Sequence, residues 1–227
     1  MTRETSHRLV EKPLGELLAA FAAPSPTPAG GSACALASAV GASLLSMVAC
    51  LPTTGSGSDL DRTALSAATR ALTGVRHRLA DAIDADATAF EEVIAARRFL
   101  NASDGEAGAR TVAAQQAIRA ATDVPLEVMR LSSVALQQAH AVAGRCHRAA
   151  SSDVGVAIDL LRAGLHGARS TVRSNLARLG DAAFVGTVTA EVERLSADAA
   201  QAVTLAERAL DPGQSPFARG DGGQERA

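Results

Sequence analysis

A single carboxylate interrupts an otherwise apolar helical stripe in this 227-residue chain. Leu72, Leu79, Ile83, Asp86, Phe90 and Val93 recur at spacings of three, four and seven, which puts them on one helix face. His77, Asp81, Asp84, Thr88 and Glu91 fall at the same spacing on the other side. Acids two residues apart point about 200° apart on an ideal helix, so Asp86 is the inward acid and Asp84 the outward one. A carboxylate buried without a partner is costly. Asp86 is therefore either paired with an arginine in the core or placed in a cleft, as a general base or as a counter-charge for a cationic substrate.

Other residues of suitable type lie along the chain. In PTPAGGS, Gly30, Gly31 and Ser32 form either a tight turn with an N-cap or a set of backbone N–H donors at a helix N-terminus. Such donors suit an anion or the carbonyl of a heterocycle. Ser152 and Asp153 read as an N-cap and a first-turn acid. Asn175 sits late on the same helix, on a stripe of Val154, Ile158, Leu161, Leu165, Ala168, Val172 and Leu179, and it bridges helices or faces a ligand. The row Arg162, His166, Arg169 and Arg173 reads as a solvated basic face. There is no phosphate-binding loop, dinucleotide fingerprint, His-Glu-x-x-His pair or Cys-x-x-Cys.

The elements that position these groups are helical. Only 2% of residues are aromatic, with no Tyr or Trp, whereas 51 are Ala. That balance disfavours strands and suits closely packed helices. The patterns predict helices over about 13–21, 33–51, 60–100 (with a break near Gly74), 110–144 (interrupted at Asp123-Val124-Pro125), 152–179 and 181–210. The expected fold is an all-α, single-domain bundle over 1–210, around a buried central helix of small residues, followed by a disordered tail at 211–227. The central helix, Ala33 to Leu51, has nineteen residues without a charge. It lacks aromatic and basic anchors, so it reads as buried on all sides and not as a membrane span. A net charge of −2 disfavours nucleic-acid and membrane partners. Cys34, Cys50 and Cys146 have no metal-type spacing and point to a reducing, cytoplasmic setting without a bound metal.

The segment PTPAGGSACALASAVGASLLSMVACL resembles the proline/glycine loop and buried helix of the cyclodeaminase/cyclohydrolase family. Its members are formimidoyltetrahydrofolate cyclodeaminase, found as the C-terminal domain of formiminotransferase-cyclodeaminase, and methenyltetrahydrofolate cyclohydrolase. The likeness continues through DADATAF at 84–90, ATDVPLEV at 121–128, SDVGVA at 152–157 and TVRSNL at 171–176, in the family's order. It implies an all-α homodimer that takes a tetrahydrofolate derivative as substrate and carries no prosthetic group. The implied reaction is cyclodeamination of 5-formimidoyltetrahydrofolate with loss of ammonia, or hydrolysis of 5,10-methenyltetrahydrofolate to the 10-formyl form. The second acid of the DADA motif, Asp86, falls on the family's catalytic aspartate. The resemblance also implies substrate contacts at Gly30, Gly31, Ser32, Ser152, Asp153, Arg173 and Asn175. Ala29 stands where the family usually has the first of three glycines. The alternative is a non-catalytic folate-binding or helical interaction protein derived from this family.

Overall fold

The computed structural model describes residues 8–55, 57–100 and 107–210. The predicted tail at 211–227 and most of the turn predicted at 101–108 lie outside them. The described residues contain six α-helices and no strand: α1 Leu14–Ala22, α2 Gly30–Cys50, α3 Asp59–Leu100, α4 Ala107–Ala143, α5 Ser151–Leu176 and α6 Ala182–Leu210. α2 packs between α3 and α5, α4 closes the third side, and α6 covers α4. Leu45, Leu72, Leu79, Ile83, Met129, Leu136, Ile158, Leu161 and Leu165 fill the shared core.

Small residues explain how α2 fits so closely against α5. A Cβ at Gly164 would lie 1.9 Å from Ser38 Oγ and 2.7 Å from the Cys34 carbonyl oxygen; one at Gly167 would lie 2.3 Å from Cys34 Sγ. From the other helix, a Cβ at Gly41 would meet the Ala157 carbonyl at 2.8 Å. These three positions set an antiparallel register in which backbones approach as only glycine allows. One level inward, Ser132 Oγ donates to Ser38 Oγ at 2.8 Å, so the polar atom at the crossing is satisfied.

Three expectations need correction. α2 is central, but it is not buried on every side: Ala33, Val40, Met47 and Cys50 reach the surface, with Leu36 and Leu44 half-buried beside them. Because nearly every α2 residue is small or apolar, the sequence does not reveal which face lacks a neighbour. α3 runs through Gly74 without a break, since the ladder on either side is intact and a glycine costs a helix only about 1 kcal/mol.

α4 likewise continues through Pro125 as one helix. Proline removes the N–H that would bond the Ala121 carbonyl four residues back. That carbonyl accepts Asn175 Nδ2 from α5 at 3.0 Å, so a remote side chain replaces the missing rung.

N-terminal capping also differs from expectation. α5 starts at Ser151 behind Ala150, whose side chain caps nothing, and the Ser151 hydroxyl donates back to the Arg148 carbonyl at 2.8 Å. Asp181 does cap α6, accepting from Phe184 N at 3.0 Å.

The tight α2–α5 crossing predicts opposite outcomes at two glycines. Gly164→Ala should lower unfolding free energy by about 1–3 kcal/mol in urea titration, because the methyl meets Ser38 and backbone. Gly74→Ala, which meets open space in mid-helix, should raise it by roughly 0.4–1 kcal/mol.

Candidate active site

α3 carries Asp86 to the N-terminus of α2. Ala29, the residue before that helix, has no side-chain acceptor, and Asp86 supplies one from α3 instead. Ser32 Oγ donates to Asp86 Oδ2 at 2.9 Å, and the Ser32 backbone N–H donates to the same carboxylate. The approach is so close that a Cβ at position 31 would sit 2.0 Å from Asp86 Oδ1. Gly31 is thus required by the carboxylate it faces. No arginine is paired with Asp86 among the described residues, so the core ion-pair reading fails.

The environment acts on Asp86 in two directions. Burial pushes its carboxyl up from the usual carboxylate range, while the Ser32 hydroxyl and N–H hold it down. Burial is the larger of the two effects, so the net shift is upward. On the same side of α2, burial and the Asp86 charge push the Cys34 thiol up, which keeps it a thiol and no nucleophile.

Asp86 opens into a cleft of about 360 Å³ whose lining includes Ala29, Gly30, Gly31, Phe90, Ala121 and, from α5 and just beyond it, Ser170, Thr171, Ser174, Asn175 and Arg178. Phe90 lies one helical turn beyond Asp86. Asn175 is held by its bond to Ala121, so its Nδ2 is partly committed and its amide oxygen remains the acceptor.

The structure brings Asp86, Gly30, Gly31 and Asn175 into this one cleft, with Ser32 directly behind the carboxylate. Ser32 is fully buried and positions Asp86, whereas the resemblance implied a substrate contact. Ser152 and Asp153 lie at the opposite end of α5, on the order of 30 Å from Asn175 by helical rise, and do not line the cleft of their own chain. Arg173 faces α6, with Nη2 2.8 Å from Glu193 Oε1, and Arg169 joins it on the same carboxylate. The two arginines hold the Glu193 carboxyl below its usual range. The basic row of α5 is thus an interhelical ion-pair seam, completed by Arg162 and Glu207 at 3.3 Å.

Asp84 points away from Asp86, as the spacing requires, but it does not face open solvent. It accepts the Leu9 N–H, and Arg8 bridges it and Asp81. With Thr27 Oγ1 donating to Glu91 at 2.9 Å, the outer row of α3 anchors the N-terminal segment and the loop that leads to Gly30.

Phe90, Ser170, Thr171, Ser174 and Arg178 were not singled out by sequence reasoning. The last four share a polar face at positions i, i+1, i+4 and i+8, which is a signal, although a solvent-facing helix end carries the same one.

Known proteins share this architecture. The sequence profile of the formiminotransferase-cyclodeaminase family matches residues 13–194. A methenyltetrahydrofolate cyclohydrolase of Methylorubrum extorquens is 36% identical over 180 residues, which cover 79% of this chain and 86% of that protein. A formimidoyltransferase-cyclodeaminase of Gallus gallus is 31% identical over 205 residues, or 87% of this chain but only 36% of the longer protein. The crystal structure of formiminotetrahydrofolate cyclodeaminase from Thermotoga maritima superposes with a TM-score of 0.79 over 89% of this chain and 97% of that one; at 23% identity it speaks to the fold. With the profile spanning most of its length, and an all-α fold shared with a solved cyclodeaminase, the chain belongs to the formiminotransferase-cyclodeaminase family.

Proposed function

We propose that this chain is a one-carbon folate enzyme that hydrolyses 5,10-methenyltetrahydrofolate to 10-formyltetrahydrofolate, with Asp86 as its acid/base. The observation that carries the reading is one half-buried carboxylate, free of any cationic partner among the described residues, at the floor of a cleft. The substrate's methenyl bridge is a cation delocalised over N5, carbon and N10, and an ionised Asp86 is its counter-charge. As water adds to the carbon, Asp86 takes one of its protons. It returns that proton to N5 as the carbon–N5 bond breaks, and the remaining hydroxyl proton leaves to solvent as the formyl carbonyl forms on N10. The likeness to a cyclohydrolase along 86% of that protein's length supports this direction.

The family assignment favours a second reading with the same residue. In cyclodeamination of 5-formimidoyltetrahydrofolate, the formimino group enters protonated as an amidinium, N10 attacks its carbon, Asp86 passes the N10 proton to the leaving amino nitrogen, and ammonia departs to leave the methenyl cation. The Gly30 and Gly31 amides, at the start of α2, suit a carbonyl of the pterin.

We further propose that the chain works as a homodimer whose partner covers the exposed apolar row of α2, where Val40 and Met47 each remain more than 40% exposed.

Turnover, followed by absorbance of the methenyl chromophore, should fall at least a hundredfold in Asp86→Asn for whichever of the two folates wild type uses, the scale of general acid–base assistance. Unchanged turnover would overturn the assignment.

The pH dependence has a definite sign. Asp86 binds its proton more tightly folded than unfolded, so its charge costs stability above its folded pKa, and this cost vanishes below the ordinary carboxylate range. Asp86→Asn should therefore melt above wild type at pH 7, with the gain shrinking toward acid pH. The acidic limb of the activity profile should move to higher pH in Ser32→Ala, which loses a bond to the ionised form.

In light scattering, Val40→Glu/Met47→Glu should show half the mass of wild type; an unchanged mass would remove α2 from the interface.

A further inference from the structure

The cleft holds a second charge that no motif pointed to. Arg178 lines it just past the end of α5, and among the described residues its guanidinium has no carboxylate partner. This sets it apart from the other arginines of that stretch, since Arg162 is bound to Glu207 and Arg169 and Arg173 to Glu193. Its backbone is fixed on both sides: the carbonyl accepts Gln115 Nε2 from α4 at 3.0 Å, and the N–H donates to the Asn175 carbonyl at 3.0 Å. The backbone at Arg178 is thus ordered, and its exposed side chain lines the cleft without an internal carboxylate partner.

The register of the helices gives its distance from the chemistry. Gly164 and Gly167 face Ser38 and Cys34, so the N-terminus of α2, with Asp86 against it, lies level with about Ser170 and Thr171. Arg178 stands about two turns further along the α5 direction, on the order of 10 Å. Between them run Ser174, Asn175 and the Phe90 ring.

We infer that Arg178 binds the carboxylate tail of the substrate. The inference rests on the folate reading above and adds to it the part of the ligand remote from the reacting carbon. With the one-carbon bridge at Asp86, an aminobenzoyl ring and its amide span about the length between the two charges, and the glutamate carboxylate meets the guanidinium. Arginine suits this role because its planar fork accepts a carboxylate through two parallel N–H donors. The cleft then carries a cation at one end and an anion at the other, matching a ligand that is cationic at its bridge and anionic at its tail. That pairing selects both the orientation and the class of ligand.

The test compares 5,10-methenyltetrahydrofolate with its analogue in which both glutamate carboxylates are amides. Wild type should prefer the carboxylate form about tenfold in kcat/KM, mainly through KM, the order expected for an exposed charge-assisted contact. In Arg178→Ala this preference should collapse to about one through a rise in KM for the carboxylate form, and Arg178→Lys should retain part of it. A preference left intact in Arg178→Ala, or an equal KM rise for both compounds, would overturn the inference. Binding of 5-formyltetrahydrofolate and its diamide, read by thermal shift, separates this from the catalytic reading. If wild type turns over neither methenyl compound yet binds the carboxylate form with an Arg178-dependent preference, the tail site stands and the proposed reaction falls. If no such preference appears in binding, the tail site falls.

Discussion

Asp86 approaches the first turn of α2 so closely that position 31 has no room for a methyl group, and the helix takes its N-terminal acceptor from this carboxylate instead of from its own cap residue. Much follows from that contact. It fixes the depth at which α3 crosses α2, because the Ser32 hydroxyl and N–H must both reach the same side chain. It places a charge where burial disfavours it and two donors favour it, a balance that leaves a group able to exchange a proton. It also leaves the preceding glycines facing the cleft.

The α2–α5 crossing supports the same point from the other side. Gly41, Gly164 and Gly167 let the two backbones close up, and the closeness carries the polar end of α5 to the level of the α2 N-terminus. Larger residues at these positions would separate the helices and move Ser170, Thr171 and Asn175 away from Asp86. The abundance of alanine and glycine is in this sense part of the site. It sets how far apart the cleft walls stand as well as how the core fills.

Much of the bundle and the identity of its inward acid were legible in the sequence, for reasons that also mark where legibility ended. Asp86 stood out because every other position of its stripe is apolar. Phe90 sat on the same stripe and read as core, since helical periodicity cannot separate a residue that faces a neighbour from one that faces a cavity. Ser152 and Asp153 were carried by motif order, and order along a chain holds no information about distance once a helix of 26 residues separates two motifs. Arg173 lies on the right helix but is turned to Glu193 of α6, while Arg178, just past the helix end, lines the cleft; the spacing along α5 does not encode where α6 places its carboxylate. The uncovered row of α2 was invisible because small and apolar residues surround that helix on all faces.

Pro125 signals a kink or a restart, yet α4 does not restart there, and the orphaned Ala121 carbonyl takes a donor from fifty-four residues away. That bond has a consequence for how the cleft meets a ligand. Asn175 is tied to the backbone of α4, Asp86 to the backbone of α2, and the rim at Arg178 to Gln115. The Asn175 and Asp86 side chains and the Arg178 backbone are restrained before anything binds, so the entropy of fixing them is lost when the chain folds, and only the Arg178 side chain is left to be ordered by substrate. Among the described residues the walls are helical faces and helix ends, and the site is in that respect a preformed receptor.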